Sequence, residues 1–243
     1  MIESLLLTTA RVSTFFGAQL LTGASGFFFE RDARLFLVTS RHVLIDQPTA
    51  HLPDRVEIPI HLDAHDLTRI AIVSLDLYRG GRGVWRQGRD QGGEVDVAVI
   101  EIDRGLLPAS AQLRCFGPDH LLRSLEELEV GTTLQIVGFP LGFYDTLHHL
   151  PVVRQAAIAS SFGVRFQGEG CFLTDARTHR GMSGAPVVLR ADGPPGLPWK
   201  LLGVHSSMLD MRTRDRQIDD PLGLNVAWYA DMLMVLTSEP GTG

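Results

Sequence analysis

Short apolar runs separated by turn-forming residues recur along the whole chain. The runs are rich in Val, Ile, Leu and Phe, and Gly, Pro, Asp or Asn stands between them. Such runs are typical of β-strands, and no helical segments alternate with them as in a parallel α/β fold. The pattern therefore predicts a mostly antiparallel β-protein, either a sandwich or a barrel. The clearest runs are 26–30, 35–39, 69–73, 95–100, 133–137, 152–158, 185–189 and 201–204.

Two segments have a helical rather than a strand-like composition. Residues 119–129 are expected to join two β-halves. Residues 225–236 have the apolar spacing of a helix, with Asn225 as its N-cap. The second segment predicts a packed C-terminal helix.

Composition and charge exclude several classes of function. The chain has 22 Lys and Arg against 28 Asp and Glu, and this net charge of −6 disfavours non-specific nucleic-acid binding. A hydrophobic content of 44% does not fit a disordered chain. No window holds the ~18 apolar residues of a membrane helix, and the N-terminus lacks the pattern of a secretory signal. We therefore expect a cytoplasmic protein that binds neither nucleic acid nor a membrane.

Cysteine and histidine spacing gives no sign of a disulfide framework or a metal site. Cys115 and Cys171 are expected to be reduced thiols, although a single bridge between them is left open. His61 and His65 have i, i+4 spacing, but they lie in an expected loop without the Glu-bearing helix of a zinc enzyme. No metal or other cofactor is expected.

Three polar residues form a pattern suited to nucleophilic catalysis. His42 directly follows an apolar strand, Asp96 lies within one, and Ser183 is bracketed by Gly181 and Gly184. A serine hydroxyl needs an imidazole to take its proton, and that imidazole needs a carboxylate on its other nitrogen. A buried Asp also needs a partner, and His42 is the natural one for Asp96. The residues therefore predict a catalytic triad of His42, Asp96 and Ser183.

The glycines beside Ser183 have roles of their own. Gly181 permits a turn that aims two N–H groups, its own and that of Ser183, at a developing oxyanion. Gly184 leaves room for a substrate to approach the nucleophile. The expected oxyanion hole therefore consists of the N–H groups of Gly181 and Ser183.

The order His, Asp, Ser and the segments around these residues resemble the chymotrypsin-like, or trypsin-like, serine peptidases. The similarity is greatest to compact bacterial members such as the HtrA-type and glutamyl endopeptidases. The resemblance extends from Gly23 to about Leu236. The segments that carry it are 38–42, 96–99, 137–142 and the Gly-x-Ser-Gly-x-Pro loop at 181–186.

The resemblance implies two antiparallel six-stranded Greek-key β-barrels with the catalytic cleft between them. The first barrel is expected at residues 1–105 and the second at 126–224, with a linker at 106–125 and a C-terminal α-helix at 225–238. The implied reaction is hydrolysis of a peptide or protein substrate. Ser183 would attack the carbonyl, and His42 would act as base and then as acid.

One position departs from the family pattern. Trypsin-type zymogens place an Asp directly before the nucleophile, where it binds the new N-terminus after cleavage. Here that position is Met182, which cannot form the ion pair. The oxyanion loop is therefore expected either to be preformed or to be ordered by an activating protein partner or a ligand.

The resemblance also bears on the substrate residue before the scissile bond, called P1. Residues 203–205 resemble the Gly-x-His of glutamyl endopeptidases, and Thr178 matches a threonine that those enzymes place in the P1 pocket. The strand that continues through Ser206 is expected to form one wall of the pocket, and Arg177 is expected to add positive charge. These substrate-binding residues, which include His205, predict Glu, Gln or Asp at P1. Small apolar residues are the alternative.

Two other functions are left open by the sequence. A peptidase fold can also bind a peptide or protein partner without cleaving it, as a silent or latent module. The same acyl-enzyme chemistry serves esterases and acyl transferases. Comparing the rates at which the protein cleaves peptides and small esters distinguishes a peptidase from an esterase or an acyl transferase.

Overall fold

The computed structural model describes residues 2–122, 124, 128–191, 196–210 and 221–239. The strands of the first half are β1 (Thr9–Phe16), β2 (Gln19–Arg31), β3 (Arg34–Thr39), β4 (Arg55–His61), β5 (Ile70–Asp76), β6 (Tyr78–Arg79), β7 (Arg82–Gly83), β8 (Arg86–Asp90) and β9 (Gly93–Ile102). Those of the second half are β10 (Thr133–Gly138), β11 (Val152–Ile158), β12 (Cys171–Asp175), β13 (Pro186–Arg190), β14 (Trp199–Asp210) and β15 (Pro221–Tyr229). The α-helices are α1 (Arg41–Leu44) and α2 (Leu233–Leu236).

The first half is a seven-stranded antiparallel sheet in the order β5-β4-β1-β2-β3-β9-β8. Its strands bury alternate side chains, as Val56, Ile58 and Ile60 on β4 show. The count exceeds the expected six because a tight turn between Asp90 and Gly93 folds β8 back along β9. The strand β8 thereby becomes an additional edge.

The second half is a closed antiparallel barrel in the order β10-β11-β12-β15-β14-β13. Its interior is filled by apolar side chains such as Ile136, Phe172 and Val187. Closure pairs both edges of every strand and so leaves no edge free for aggregation. The predicted all-β fold with a C-terminal helix is confirmed; of the two predicted six-stranded barrels, the second is closed and the first is a seven-stranded sheet.

The C-terminal helix begins later than the sequence pattern predicts. Residues 225–229 belong to β15, and helical structure starts only with the 3-10 turn Ala230–Met232 before α2. The side chain of Asn225 is buried in the barrel, where its amide donates a hydrogen bond of 2.8 Å to the carbonyl of Ala176. The assignment of Asn225 as an N-cap is therefore wrong, because pairing of β15 with β12 and β14 determines its backbone.

The connection between the two halves is only partly described. It begins with a 3-10 turn at Pro118–His120, and Leu121 then forms a β-bridge with Leu201. Residues 123 and 125–127, which are four of the eleven residues of the segment 119–129, lie outside the described residues. The boundaries at 105 and 126 stay a prediction.

A shared apolar core holds the two halves together. Phe27 and Phe36 from the first sheet pack in one cluster with Val137, Leu201 and Trp228 from the barrel. Fully burying one such side chain stabilises a fold by about 1.5–3 kcal/mol. This core fixes the cleft between the halves, into which β9, α1 and the loop before β13 each bring one residue of the predicted triad.

The cysteines and the helices can also be compared with the sequence analysis. Cys115 and Cys171 are both free, as expected. In the part of the chain that the structure describes, no helix is long and apolar enough to cross a membrane.

Candidate active site

The predicted histidine is positioned by the helical turn that follows β3. His42 lies in α1, whose neighbouring residues Val43 and Leu44 are buried in the core of the first sheet. The imidazole Nδ1 of His42 lies 2.6 Å from Oδ2 of Asp96, and the backbone N–H of His42 donates to Oδ1 at 2.9 Å. Two contacts with one carboxylate fix both the turn and the ring.

The carboxylate comes from β9, where strand alternation turns Asp96 away from its buried neighbours Val95 and Val97. A third contact is the hydroxyl of Ser206, which donates to Oδ2 at 2.6 Å. Burial alone would raise the pKa of Asp96, but the hydrogen bond and charge of His42, with the Ser206 hydroxyl, lower it overall. Asp96 is therefore ionised at neutral pH.

An ionised Asp96 determines the protonation of His42. Burial by itself lowers the pKa of His42, but the hydrogen bond and charge of Asp96 and the charge of Asp46 raise it overall. Because the carboxylate can only accept, Nδ1 carries the proton and Nε2 presents a lone pair. That Nε2 lies 2.9 Å from Oγ of Ser183. The arrangement lets His42 take a proton from the serine.

The serine stands in a loop whose backbone requires glycine on both sides. Gly181 and Gly184 have φ angles of +92° and +85°. A Cβ at Gly181 would lie 2.5 Å from the carbonyl oxygen of Phe139, and one at Gly184 would lie 2.2 Å from that of Ser25. Only glycine fits these positions, because each combines a left-handed backbone with a close approach to another chain segment.

The backbone N–H groups of Gly181 and Ser183 have no acceptor in the part of the chain that the structure describes. Among the described residues, no carbonyl or side chain accepts a hydrogen bond from either group. Two unpaired N–H groups beside a serine hydroxyl are the arrangement that binds the oxyanion of an acyl-transfer intermediate.

The carbonyl oxygens of the two peptide groups that carry these N–H groups both accept hydrogen bonds within the chain. The carbonyl of Arg180 accepts from the N–H of Leu141 at 2.5 Å, and that of Met182 accepts from the N–H of Ala185 at 2.9 Å. Because a peptide group is planar, fixing its oxygen also fixes its N–H. The Met182 side chain is fully buried in the barrel core, so apolar packing stands where an activation ion pair would be.

The residues expected in the P1 pocket have different surroundings. His205 is 2% exposed, and its Nδ1 has no hydrogen-bond partner among the described residues. Burial, together with the charge of His42, lowers the pKa of His205 to about 4. Thr178 is also buried, and its hydroxyl donates to the side chain of Asn225. Arg177 is exposed to solvent.

Ser206 has a contact that the sequence analysis missed. Its hydroxyl donates to Asp96, and its carbonyl lies 3.0 Å from Oγ of Ser183, where it competes with Nε2 of His42 for the single hydroxyl proton. The pairing of β14 with β15 is irregular between His205 and Ser207, so simple strand alternation does not assign these side chains. The contact of Ser206 with Asp96 joins positions 110 apart and has no local signal in the sequence.

An open cleft of about 600 Å³ extends from the serine and histidine. It is lined on one side by residues 19–24 of β2 and on the other by the segment after α1, including Asp46 and His51. Within the described ranges, no group of three or more His, Cys, Asp or Glu side chains could hold a metal ion.

Comparisons with known proteins agree with this geometry. A model of the trypsin-like peptidase domain matches residues 24–194. The HtrA-type protease AlgW with a tripeptide is 18% identical at a TM-score of 0.58, over 95% of this chain and 58% of that chain. The serine endoprotease from Yersinia pestis is 17% identical at a TM-score of 0.57, over 95% of this chain and 61% of that chain.

A third structure, an inactivated protease paralogue of the scabies mite, is 17% identical at a TM-score of 0.57, over 96% of this chain and 92% of that chain. At these identities the similarity shows a shared fold. The chain matches only 58% and 61% of the lengths of the first two structures. No curated protein sequence matches the chain.

Proposed function

Because the chain belongs to the trypsin-like peptidase domain family, we propose that it is a serine endopeptidase that acts through Ser183, His42 and Asp96. The observation that carries the proposal is the continuous chain of contacts from carboxylate to hydroxyl. Oδ2 of Asp96 lies 2.6 Å from Nδ1 of His42, and Nε2 of His42 lies 2.9 Å from Oγ of Ser183. Both distances suit proton transfer and its electrostatic support.

The reaction follows from this arrangement. Oγ of Ser183 attacks the substrate carbonyl while Nε2 of His42 takes its proton, and Asp96 stabilises the imidazolium that forms. The N–H groups of Gly181 and Ser183 bind the oxyanion of the tetrahedral intermediate. The imidazolium then gives its proton to the leaving amine. A water molecule then attacks the acyl-enzyme while His42 takes its proton. The imidazolium returns that proton to Oγ of Ser183 as the acid product leaves.

We further infer a preference for Gln, Glu or Asp at P1. The support is the buried imidazole of His205 together with the buried hydroxyl of Thr178. A neutral imidazole hydrogen-bonds to an amide or carboxyl group, so a P1 side chain that carries one is favoured over an aliphatic side chain. With a pKa of about 4, His205 is neutral at pH 7 and can both donate and accept. The exposed Arg177 adds positive charge only at the surface.

Control by a protein partner or a ligand has less support than an enzyme that is active alone. Gating requires an oxyanion loop that is unformed until something orders it. Here the carbonyls of Arg180 and Met182 already have hydrogen-bond partners within the chain. We therefore expect purified protein to turn over peptides without an added activator.

A peptide library with P1 varied tests these proposals together. Wild type should cleave peptides that carry Gln or Glu at P1 faster than those with Lys or Ala, and Ser183→Ala should cleave none. His205→Ala should lose the preference while retaining some cleavage. Turnover of esters without any peptide cleavage would instead indicate an esterase. Tight peptide binding without either activity would indicate a silent module, and faster cleavage after Ala would indicate a small apolar pocket.

A further inference from the structure

We propose that Ser25 is a positioning residue for the oxyanion hole. Its hydroxyl bridges the loop that carries the nucleophile to the segment that begins at Phe139. The inference deepens the proposed function and rests on it, because a positioned oxyanion hole matters only if Ser183 forms an acyl-enzyme. Ser25 lies on β2, in the other half of the molecule, and no step of the reaction above uses it.

Four polar contacts surround Ser25, which is fully buried. Its hydroxyl donates to the carbonyl of Gly181 at 2.8 Å and accepts from the N–H of Phe139 at 3.0 Å. Its backbone N–H donates to the carbonyl of Ser183 at 3.0 Å. Its own carbonyl accepts from the hydroxyl of Thr39 at 2.8 Å. The first sheet thus contacts both residues that supply the oxyanion hole.

The direction of the two hydroxyl bonds is fixed by chemistry. The backbone N–H of Phe139 can only donate, and the carbonyl of Gly181 can only accept. The single hydroxyl proton of Ser25 must therefore point to Gly181. One side chain satisfies a buried donor and a buried acceptor at once.

These bonds bear on the orientation of the Gly181 N–H. Gly181 joins two peptide groups, and rotation about its own dihedral angles would swing its N–H out of the hole. The carbonyl of Arg180 on one side is held by the N–H of Leu141, and that of Gly181 on the other is held by Ser25. By accepting from Phe139, Ser25 also anchors the segment that supplies Leu141. Ser25 therefore acts on both sides of Gly181.

The packing leaves no simple replacement for the hydroxyl. A Cβ at Gly138 would lie 2.5 Å from Oγ of Ser25, so the oxygen fills its space closely. Removing one oxygen leaves too little room for a water molecule with several partners. In Ser25→Ala the carbonyl of Gly181 and the N–H of Phe139 would both lack partners, which favours their displacement.

The test compares Ser25→Ala with wild type by kinetics and by crystal structure. We expect kcat for a peptide anilide to fall about 10²-fold, the scale for losing one oxyanion donor, while KM changes less than about threefold. A peptide aldehyde, which forms a tetrahedral adduct with the serine, should bind weaker by the same factor. In the crystal, the Gly181 carbonyl of the variant should leave its wild-type position.

Two further variants separate positioning from general stability. Thr8→Val removes another buried hydroxyl, which donates to the carbonyl of Leu5 at 2.7 Å in the first half. It should lower the melting temperature without a selective loss of kcat. Ser25→Cys keeps a weaker donor and acceptor and should have an intermediate kcat. It also serves as the test if Ser25→Ala does not fold.

The inference is overturned if Ser25→Ala retains the wild-type kcat, or if kcat falls only in proportion to the fraction of folded protein. An unchanged position of the Gly181 carbonyl in the crystal also overturns it. The crystal result does not depend on turnover. A folded but inactive wild type would therefore refute the proposed function while Ser25 was still tested.

Discussion

Replacing Asp96 by Asn should remove most of the catalytic rate while preserving the fold. Asp96 accepts from Nδ1 of His42 at 2.6 Å, from its backbone N–H at 2.9 Å and from Ser206 at 2.6 Å. In the Asp96→Asn variant, the backbone N–H of His42 can still donate to Oδ1. The amide NH₂ group of the new side chain then faces Nδ1 of His42. The imidazole must accept at Nδ1 and carry its proton on Nε2, so it cannot take the proton of Ser183.

A wrong tautomer of this kind costs about 10⁴-fold in kcat, or about 5.5 kcal/mol. The measurement is kcat for a peptide substrate, with thermal unfolding to show that the variant is folded. Asp103→Asn is the matched control, because the Asp103 carboxylate accepts from a backbone N–H at the surface, at 2.8 Å from Gly105. It should retain wild-type activity. A folded Asp96→Asn variant whose kcat is within about tenfold of wild type would show that Asp96 does not set the tautomer needed for catalysis.

Three further predictions follow from named contacts. The kcat/KM of wild type should fall as pH decreases through a midpoint above 6.5, because His42 must be neutral to act as a base and its pKa is raised. Asp46→Asn removes a charge that raises the pKa of His42, so it should lower the midpoint of the pH profile. A wild-type midpoint at or below 6.5 would contradict the raised pKa of His42. Gly184→Ala should cost more than about 4 kcal/mol in urea unfolding, against about 1–2 kcal/mol for Gly80→Ala, which also has positive φ but has free space around it. Equal losses would show that the close approach at Gly184 is unimportant. Burial raises the pKa of the Cys115 thiol to about 12, so native protein should react with iodoacetamide at pH 8 far more slowly than unfolded protein, as measured by mass spectrometry.

The apolar runs named in the sequence all overlap strands, because their pattern is local, whereas β1, β4 and β12 are not among those runs. Short apolar runs between turn residues determine the all-β architecture, and the spacing of His42, Asp96 and Ser183 fits one catalytic pattern. The helix start at 225 fails for a nonlocal reason. Residues 225–229 carry helical apolar spacing, but two neighbouring strands pair with them and complete the barrel. Tertiary pairing outweighs local preference there.

The supporting contacts of the site are also nonlocal. Ser25 and Gly181 are 156 positions apart, and Ser206 and Asp96 are 110 apart. In the sequence, Ser25 is one small residue among several before an apolar strand. Its partners are backbone atoms of a distant loop, and a backbone atom leaves no residue type to recognise. Such roles emerge only when the two halves pack together.

Labelling with a fluorophosphonate, with the modified residue located by mass spectrometry, shows whether Ser183 is an activated nucleophile. A serine becomes reactive toward this probe only when a base takes its proton and an oxyanion site stabilises the adduct. We expect a single modification, at Ser183, in folded wild type and none in Ser183→Ala. Folded wild type that is not labelled at Ser183, or a Ser183→Ala variant that is labelled as fast as wild type, would contradict it.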